Sequence, residues 1–288
     1  MPAYRGRNVT LMKNGKNRIR AALAALLLFL SLCGCAGAEG EKPLMEVHQL
    51  MLGCADGYFI RLGDVAIAID CGRDDGDTAE RALEALRQAG CEKLTAYIAT
   101  HYHDDHAGNM REILAAFGTE DTFVFGPTET YPKKYGTLPV GVWREMKAGD
   151  ELSFGGMTIK CVGPDKLEGR GGINKDSLNF VVRYGARSFL FTGDYVRSHP
   201  VADGYRDDVT NVDVLKFPHH GLRPFCIDPW VLMQVNPKII LIPGATVGPV
   251  MQLAEKYGVD AKVYSIGDGH MVITTDGETL EVATHVGE

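Results

Sequence analysis

The sequence lacks the cysteine pattern of a small fold held together by disulfides. It contains seven cysteines and no C-x-x-C pair. Beyond Cys35 they form an odd and widely spaced set: Cys54, Cys71, Cys91, Cys161 and Cys226. Disulfide scaffolds use even sets of cysteines in short chains, so that class is excluded. We expect buried thiols, with one or two bridges as the alternative for an exported protein.

Internal repeats and low-complexity segments are also missing, which excludes repeat architectures. The apolar run from Ala21 to Leu32 is too short for a membrane-spanning helix, which needs about 20 apolar residues. What remains is ordinary for a globular protein, with 45% hydrophobic and 23% charged residues. We therefore predict a single core in one domain over residues 44–288.

Acidic residues are missing from the N-terminal region, where the first is Glu39. Six basic residues precede the apolar run, which is the charge pattern of a secretory signal. The run ends in Leu32-Cys33-Gly34-Cys35, which resembles the cleavage box of bacterial lipoproteins, whose cysteine receives a lipid. We predict a signal peptide over 1–34, a lipid on Cys35, a linker over 35–43 and an exported protein on the outer side of the cell membrane. An ordinary signal peptide cut at nearby small residues is the alternative.

The mature chain has no excess of positive charge. The whole sequence carries a formal net charge of −7, and cleavage before Cys35 removes six positive charges and no negative ones, which leaves −13. Non-specific nucleic-acid binding depends on basic residues that neutralise phosphates. The composition therefore argues against broad nucleic-acid binding, while a local basic groove stays open.

The order of apolar segments predicts strands and helices in both halves of the chain. Short strands are expected at 44–52, 58–62, 65–69, 94–99, 157–162, 178–184, 188–191, 212–217, 238–242 and 263–266. Helices are expected after Asp77-Thr78 and at 108–117, 229–235 and 250–257. A closing hairpin turns at Asp276-Gly277. This order favours an α/β fold of two sheets packed face to face, with helices on their outer faces.

The densest polar cluster follows the strand that ends at Ala99. Residues 100–109 read THYHDDHAGN, in which the groups able to bind a metal include His101, His103, Asp105 and His106. Imidazole and carboxylate ligands suit zinc, iron or manganese. A polar capping loop would not need so many of them, so the segment predicts a metal site.

Three other strand ends carry residues of the same kind. Asp70 closes the strand at 65–69, Asp194 follows Gly193 after an apolar strand, and His219 follows a third apolar segment. Strand ends can lie along one rim of a fold, so we expect these side chains near the histidine cluster. A solvated turn explains Asp70 equally well, and Asp194 less well, because Gly193 allows a sharp turn there.

The H-x-H-x-D-H pattern at 101–106 resembles the metallo-β-lactamase superfamily, whose fold is an αββα sandwich. The resemblance covers most of the mature chain. It implies that Asp70 orients the histidine loop without binding metal, that Asp194 bridges two metals, and that the segment 216–221 is the late histidine motif.

The resemblance also implies two divalent metal ions, zinc first, with manganese or iron as alternatives. The first ion would be held by His101, His103 and Asp194, and the second by Asp105, His106, Asp194 and His219. A hydroxide between the two ions would act as the nucleophile, with Asp105 as part of the catalytic group. His220 would contact the phosphate or protonate the leaving alcohol, although His219 and His220 can exchange roles.

One departure from the superfamily pattern points to a substrate class. Many members carry a further histidine ligand, yet this chain has no histidine between His106 and His199. The hydrolase domains of bacterial DNA-uptake channels and the teichoic-acid phosphorylcholine esterases share that gap, an Asn-x-x-Ser segment (here 174–177) and an LK-x-x-HH segment (here 215–220).

This likeness implies a hydrolase of phosphodiester or phosphate-ester bonds, with a cell-envelope polymer or a nucleic acid as the source of substrate. Asn174 and Ser177 would contact the substrate, with an ordinary turn as the alternative for that segment. Two other functions stay open. One is hydrolysis of lactones, thioesters or β-lactams on the same fold, and the other is a non-catalytic metal-binding surface lipoprotein.

Overall fold

A computed structural model describes residues 42–128, 138–139, 141–169, 171–195, 201–222, 228–244 and 247–285 of the chain. These residues form two mixed sheets packed face to face, with helices on the outer faces, which confirms the predicted layer order. The predicted signal peptide, Cys35 and most of the linker lie outside the described residues. No helix among the described residues is long and apolar enough to cross a membrane.

The first sheet combines strands of the N-terminal half with the C-terminal hairpin. Its strands are β1 (Met45–Gln49), β2 (Gly57–Leu62), β3 (Val65–Cys71), β4 (Ala96–Ile98), β5 (Phe123–Gly126), β6 (Val142–Glu145), β14 (His270–Thr275) and β15 (Glu281–His285). Their order in the sheet is β15-β14-β1-β2-β3-β4-β5-β6, with parallel pairing from β3 to β6. Helices α1 (Thr78–Gln88), α2 (Asp104–Ala107) and α3 (Met110–Phe117) connect the parallel strands.

The second sheet is built from the rest of the chain. Its strands are β7 (Glu151–Phe154), β8 (Met157–Gly163), β9 (Asn179–Tyr184), β10 (Arg187–Phe191), β11 (Val214–Lys216), β12 (Ile239–Ile242) and β13 (Lys262–Ser265), in the order β13-β12-β11-β10-β9-β8-β7. Strands β10 to β13 pair in parallel. Helices α4 (Pro229–Val235) and α5 (Gly248–Lys256) belong to this half.

Apolar side chains on both faces of the central strands explain why the sheets are covered on both sides. In β10, Phe189 and Phe191 contribute to the core between the sheets, whereas Leu190 packs in the core that the second sheet shares with α4 and α5. Successive side chains of a strand point to opposite faces, so a strand that is apolar throughout must be covered on both sides. Burying each of these large side chains stabilises the fold by about 1.5–3 kcal/mol.

The structure contains three strands that the sequence pattern did not predict: β5, β6 and β7. Each has four residues, and β6 is mostly exposed at the edge of its sheet. Strands of four residues carry little periodic signal, even where they alternate as β7 does. The predicted hairpin is confirmed, with Asp276 Oδ1 accepting hydrogen bonds from the backbone of Glu278 and Thr279.

The two sheets bring four chain segments to one end of the sandwich. Asp70 lies at the carboxyl end of β3, and Thr100 follows β4. In the second sheet, Asp194 follows β10 and His219 follows β11. All four strands take part in parallel pairing, and the carboxyl ends of neighbouring parallel strands meet at one edge. The predicted rim therefore exists and joins both sheets.

Candidate metal centre

The histidine loop turns from β4 into the short helix α2. His103 has an extended backbone and precedes the first residue of that helix, so the chain reverses and returns the buried His106 toward the buried His101. The ring centroids of His101 and His106 are 4.2 Å apart, and those of His101 and His103 are 4.6 Å apart. The backbone of Asp105 is held by a 3.0 Å hydrogen bond from the amide of Asp56. One turn of chain thus gathers three imidazoles.

Asp70 connects β3 to this loop. Its carboxylate accepts hydrogen bonds from the Thr100 amide (2.8 Å) and the Thr100 hydroxyl (2.7 Å). The same carboxylate lies 2.8 Å from His106 Nδ1, with hydrogen-bond geometry. A histidine whose Nδ1 donates to a carboxylate keeps Nε2 free to bind a metal. This is the position that the resemblance implied for Asp70.

Asp194 lies between two imidazoles. Gly193 has a φ of +49°, and a Cβ at that position would lie 2.8 Å from Ser177, so the turn requires glycine. After this turn, Asp194 Oδ1 is 3.1 Å from His106 Nε2, and Oδ2 is 3.2 Å from His220 Nε2. Each carboxylate oxygen of Asp194 thus faces a different imidazole, and its predicted role as a bridge between two metals stays a prediction.

The two adjacent histidines after β11 differ in position. Both have positive φ, at 53° and 54°. The buried His220 places Nε2 within 3.3 Å of Asp105 Oδ2 as well as near Asp194. His219 Nε2 is 3.9 Å from Asp194 Oδ2, and its side chain is 22% exposed. The structure thus brings His220 into the cluster more closely than His219, which was the expected ligand.

The Asn-x-x-Ser segment splits between two environments. Ser177 is buried, and its hydroxyl accepts a 3.0 Å hydrogen bond from the Asp194 amide, so it supports the Asp194 turn. A substrate contact through Ser177 stays a prediction. Asn174 is partly exposed in a short 3₁₀ turn. Asp176, which the sequence did not single out, orders the segment by accepting the amides of Gly169 and Gly171.

Two buried residues of the site were missed by the sequence reasoning: Asp56 and Lys216. Asp56 Oδ1 is 3.1 Å from His220 Nδ1, and Asp56 Oδ2 forms an ion pair with the Lys216 ammonium. The only sequence signals were an acidic residue beside Gly57 between two apolar strands, and a lysine inside the LK-x-x-HH segment. Ligand atoms of Asp56, His106, Asp194 and His220 all lie within 4.8 Å of one another.

The cluster passes a chemical test for a divalent metal. In the described part of the chain, Nε2 of His101 and of His106, Oδ1 of Asp194 and both ring nitrogens of His220 are buried without a hydrogen bond. The contacts of 3.1–3.3 Å between His106, Asp194, His220 and Asp105 therefore bring ligand atoms together without sharing a well-placed proton. Ligand atoms about 2.0–2.1 Å from a tetrahedral zinc lie about 3.3 Å apart. The donors present fit a metal.

Comparison with known proteins settles the family. Residues 66–288 match the family described as the Beta-lactamase superfamily domain, which is well over half of the chain. The chain belongs to this superfamily. The resemblance to the superfamily drawn from the H-x-H-x-D-H pattern and the predicted fold class are both confirmed.

Known relatives of this superfamily member match only part of the chain. It is 34% identical to the hydroxyacylglutathione hydrolase of Acaryochloris marina (strain MBIC 11017) over 110 residues. This aligned segment covers 38% of this chain and 39% of the relative. It is 28% identical over 120 residues to the protein of the same name from Brucella anthropi, which is 42% of each chain. The chain thus spans about two fifths of the length of these relatives.

A solved structure shows the same fold over a larger share of the chain. The metallo-beta-lactamase fold protein YhfI from Bacillus subtilis aligns with 76% of this chain and 96% of its own, with a TM-score of 0.53 and 15% sequence identity. At that identity the likeness shows the fold alone.

The charges of the superfamily site explain its protonation. Burial by itself lowers the pKa of His106 and His220, but the facing carboxylates outweigh it and raise the pKa of His106 to about 10 and that of His220 to about 12. Burial raises the pKa of Asp194, yet His106, His220 and Lys216 hold it well below its usual range. Burial and the nearby His106 lower the pKa of His101. The carboxylates of the cluster therefore attract positive charge, which is the electrostatic condition for holding a cation.

An open pocket lies beside the cluster. It has a volume of about 360 Å³ and is lined by Arg73, Asp74, His103, Asp104 and Asp105. The Arg73 side chain is 47% exposed, with Nη2 3.5 Å from Asp105 Oδ2. Two expected metal-binding residues, His103 and Asp105, thus share a pocket with a guanidinium that can reach an anion.

Proposed function

We propose that the protein hydrolyses phosphate esters, phosphodiesters in particular, with two divalent cations held by the described cluster. The observation that carries this proposal is the half-exposed guanidinium of Arg73 in the same pocket as His103 and Asp105. A guanidinium matches phosphate oxygens with two parallel hydrogen bonds. A phosphate bound to Arg73 would lie next to the metal-binding side chains.

We assign the metal-binding residues from the sequence pattern and the geometry together. One cation would be held by His101, His103 and Asp194, and the other by Asp105, His106, Asp194 and His220. His220 replaces His219 in this set because its Nε2 lies closer to Asp194 and also contacts Asp105. Zinc is the first choice for these nitrogen and oxygen donors, with manganese or iron as alternatives.

Each neighbouring residue then has a defined task. Divalent cations held by the cluster supply Lewis acidity toward water and toward a phosphoryl oxygen. Asp70 keeps His106 in the tautomer whose Nε2 can bind metal. Arg73 binds a phosphate oxygen on the pocket side. His219, which is partly exposed beside Asp194, contacts the leaving-group side of the substrate.

A second candidate is hydrolysis of a thioester. The relatives from Acaryochloris marina and Brucella anthropi are named hydroxyacylglutathione hydrolases, and this favours a thioester substrate. Against it stands the lack of a histidine between His106 and His199, a gap that the resemblance associates with phosphate-ester hydrolases. Lactone and β-lactam hydrolysis and a non-catalytic metal-binding role remain outcomes of the test below.

The test compares substrates on one enzyme sample. Protein purified without chelator is assayed on bis-p-nitrophenyl phosphate, a hydroxyacylglutathione thioester, a lactone and a chromogenic β-lactam, with metal content measured by elemental analysis. We expect about two transition-metal ions per chain and turnover of the phosphodiester that chelation abolishes and added metal restores. Turnover of the thioester but not of the phosphodiester would select the second candidate. Metal binding without turnover of any substrate would indicate a binding protein.

An Arg73→Gln variant tests the observation that carries the proposal. Loss of a charge-assisted hydrogen bond, worth about 1.5–3 kcal/mol, lowers kcat/KM for the phosphodiester by about tenfold to a hundredfold. Turnover of a neutral ester should change far less, because such a substrate has no anionic oxygen for Arg73. Equal losses on both substrates would remove Arg73 from phosphate binding.

We also propose that the enzyme works outside the cytoplasm as a lipid-anchored protein. The support is the basic stretch, the short apolar run and the Leu32-Cys33-Gly34-Cys35 box. The accessible phosphate esters would then belong to a cell-envelope polymer or to extracellular nucleic acid.

A further inference from the structure

We propose that Asp56 and Lys216 are positioning residues, which hold the His220 ring and the Asp194 turn ready for metal binding. This inference rests on the proposed metal site. Both residues are buried, and they form an ion pair with each other. Neither is part of the ligand set assigned above.

The position of Asp56 relative to the two imidazoles gives it this task. Asp56 Oδ1 is 3.1 Å from His220 Nδ1, and Asp56 Oδ2 is 3.6 Å from His106 Nδ1. The Nε2 atoms of the same rings face Asp194. Asp56 therefore lies on the opposite side of both rings from Asp194. Asp56 lies near Nδ1 of His220 without the hydrogen-bond geometry that Asp70 has with His106. A negative charge beside Nδ1 favours a proton on that atom, which leaves Nε2 available to a metal.

Lys216 connects Asp56 to the other side of the site. Its ammonium pairs with Asp56 Oδ2 and donates a 2.5 Å hydrogen bond to the carbonyl oxygen of Gly193. Asp56 precedes β2 in the first sheet, and Gly193 follows β10 in the second. The side chain of Lys216 is 1% exposed, and its ammonium is 3.7 Å from Asp194 Oδ1, so a buried charge joins the two sheets beside Asp194. The pair thereby sets the spacing between ligands that come from different sheets.

A metal ligand role for Asp56 is the competing explanation, since its carboxylate lies within reach of three expected ligands. The ion pair with Lys216 argues against it, because the ammonium contacts Asp56 directly but lies 3.7 Å from Asp194 Oδ1. A cation bound to Asp56 would therefore meet the stronger repulsion. The two roles predict different results. A lost ligand changes the number of metals bound, whereas a lost positioning residue lowers affinity and leaves the number unchanged.

The experiment measures zinc binding and not activity alone. Asp56→Asn, Lys216→Met and the Lys216→Met/Asp56→Asn double variant are titrated with zinc against a chromophoric chelator, and the cobalt(II)-loaded forms are compared by visible spectroscopy. The control is Asp213→Asn. Asp213 is a buried aspartate paired with Lys238 and Arg187 just before the same strand β11, at the end away from the site.

We expect Asp56→Asn to keep the wild-type number of metals, to bind them about 10–100-fold more weakly and to show an altered cobalt spectrum. Asp213→Asn should keep wild-type zinc affinity, even if it unfolds more easily. The double variant removes both charges together, so it stays foldable and should still bind zinc weakly if a single variant fails to fold.

Wild-type zinc affinity in the folded double variant would overturn the proposal. Loss of one whole metal from Asp56→Asn would also overturn it and make Asp56 a ligand. A wild-type protein that binds no metal would instead overturn the proposed function, so the two failures can be told apart.

Discussion

Substituting Asp70 by asparagine changes one buried oxygen to an amide and leaves the side-chain volume almost unchanged. Asp70 Oδ1 accepts from the Thr100 amide, and Oδ2 faces both the Thr100 hydroxyl and His106 Nδ1. An asparagine can keep the first of these bonds. Its NH₂ group cannot accept a proton from His106 Nδ1, so the imidazole must lose that hydrogen bond or change tautomer.

Either outcome weakens metal binding by a predictable amount. If Nδ1 turns into the acceptor, the proton moves to Nε2, which points at Asp194 and can then no longer bind a metal without releasing that proton. Changes of this kind in the partner of a metal-binding histidine cost about 10–100-fold in metal affinity. That range equals about 1.4–2.7 kcal/mol. Thr100 can rotate its hydroxyl to accept a hydrogen bond from the new amide. The loss of folding stability is therefore smaller than if all three hydrogen bonds of the Asp70 carboxylate were lost.

The assay is competition for zinc between Asp70→Asn and a chromophoric chelator, with circular dichroism on the same samples. Asp213→Asn, which also neutralises a buried and paired aspartate, is the matched control and should bind zinc like the wild type. Undiminished zinc affinity in a folded Asp70→Asn protein would falsify the reasoning, because Asp70 would then have no influence on the His106 tautomer.

Three further predictions concern other parts of the chain. Asp194→Ala should lose phosphodiester turnover and most of its bound metal while keeping its circular dichroism spectrum, since Asp194 faces His106 and His220; wild-type turnover would remove it from the site. Burial raises the pKa of Cys91 to about 12, so near pH 8 its thiolate fraction is roughly a thousandth of an ordinary thiol's or less. Alkylation of the native protein, mapped by mass spectrometry, should therefore label the exposed Cys54 and spare Cys91 until the pH is raised or denaturant is added. Equal labelling of the two cysteines at pH 8 would contradict this. Cys35→Ala should be released from membranes or misprocessed, and a mature N-terminus without lipid at another residue would count against the lipoprotein assignment.

Local sequence was enough for the histidine loop. His101, His103, Asp105 and His106 lie within six residues after an apolar strand, so their convergence depends on a single turn of chain. Asp194 could be predicted for a similar reason, because an apolar strand followed by Gly193 leaves few places for the next side chain. The fold class followed from the order of strands and helices, although β5, β6 and β7 were too short to be recognised.

The relation between distant segments was decided only by the tertiary structure. Asp56 and Lys216 are 160 positions apart in the chain, and they meet because two different sheets present their strand ends to one site. The choice between His219 and His220 is likewise invisible in the sequence, since both are histidines with nearly the same backbone angles. Consecutive residues project in different directions, so only the pairing of β10 with β11 determines which imidazole faces Asp194 and which stays partly exposed.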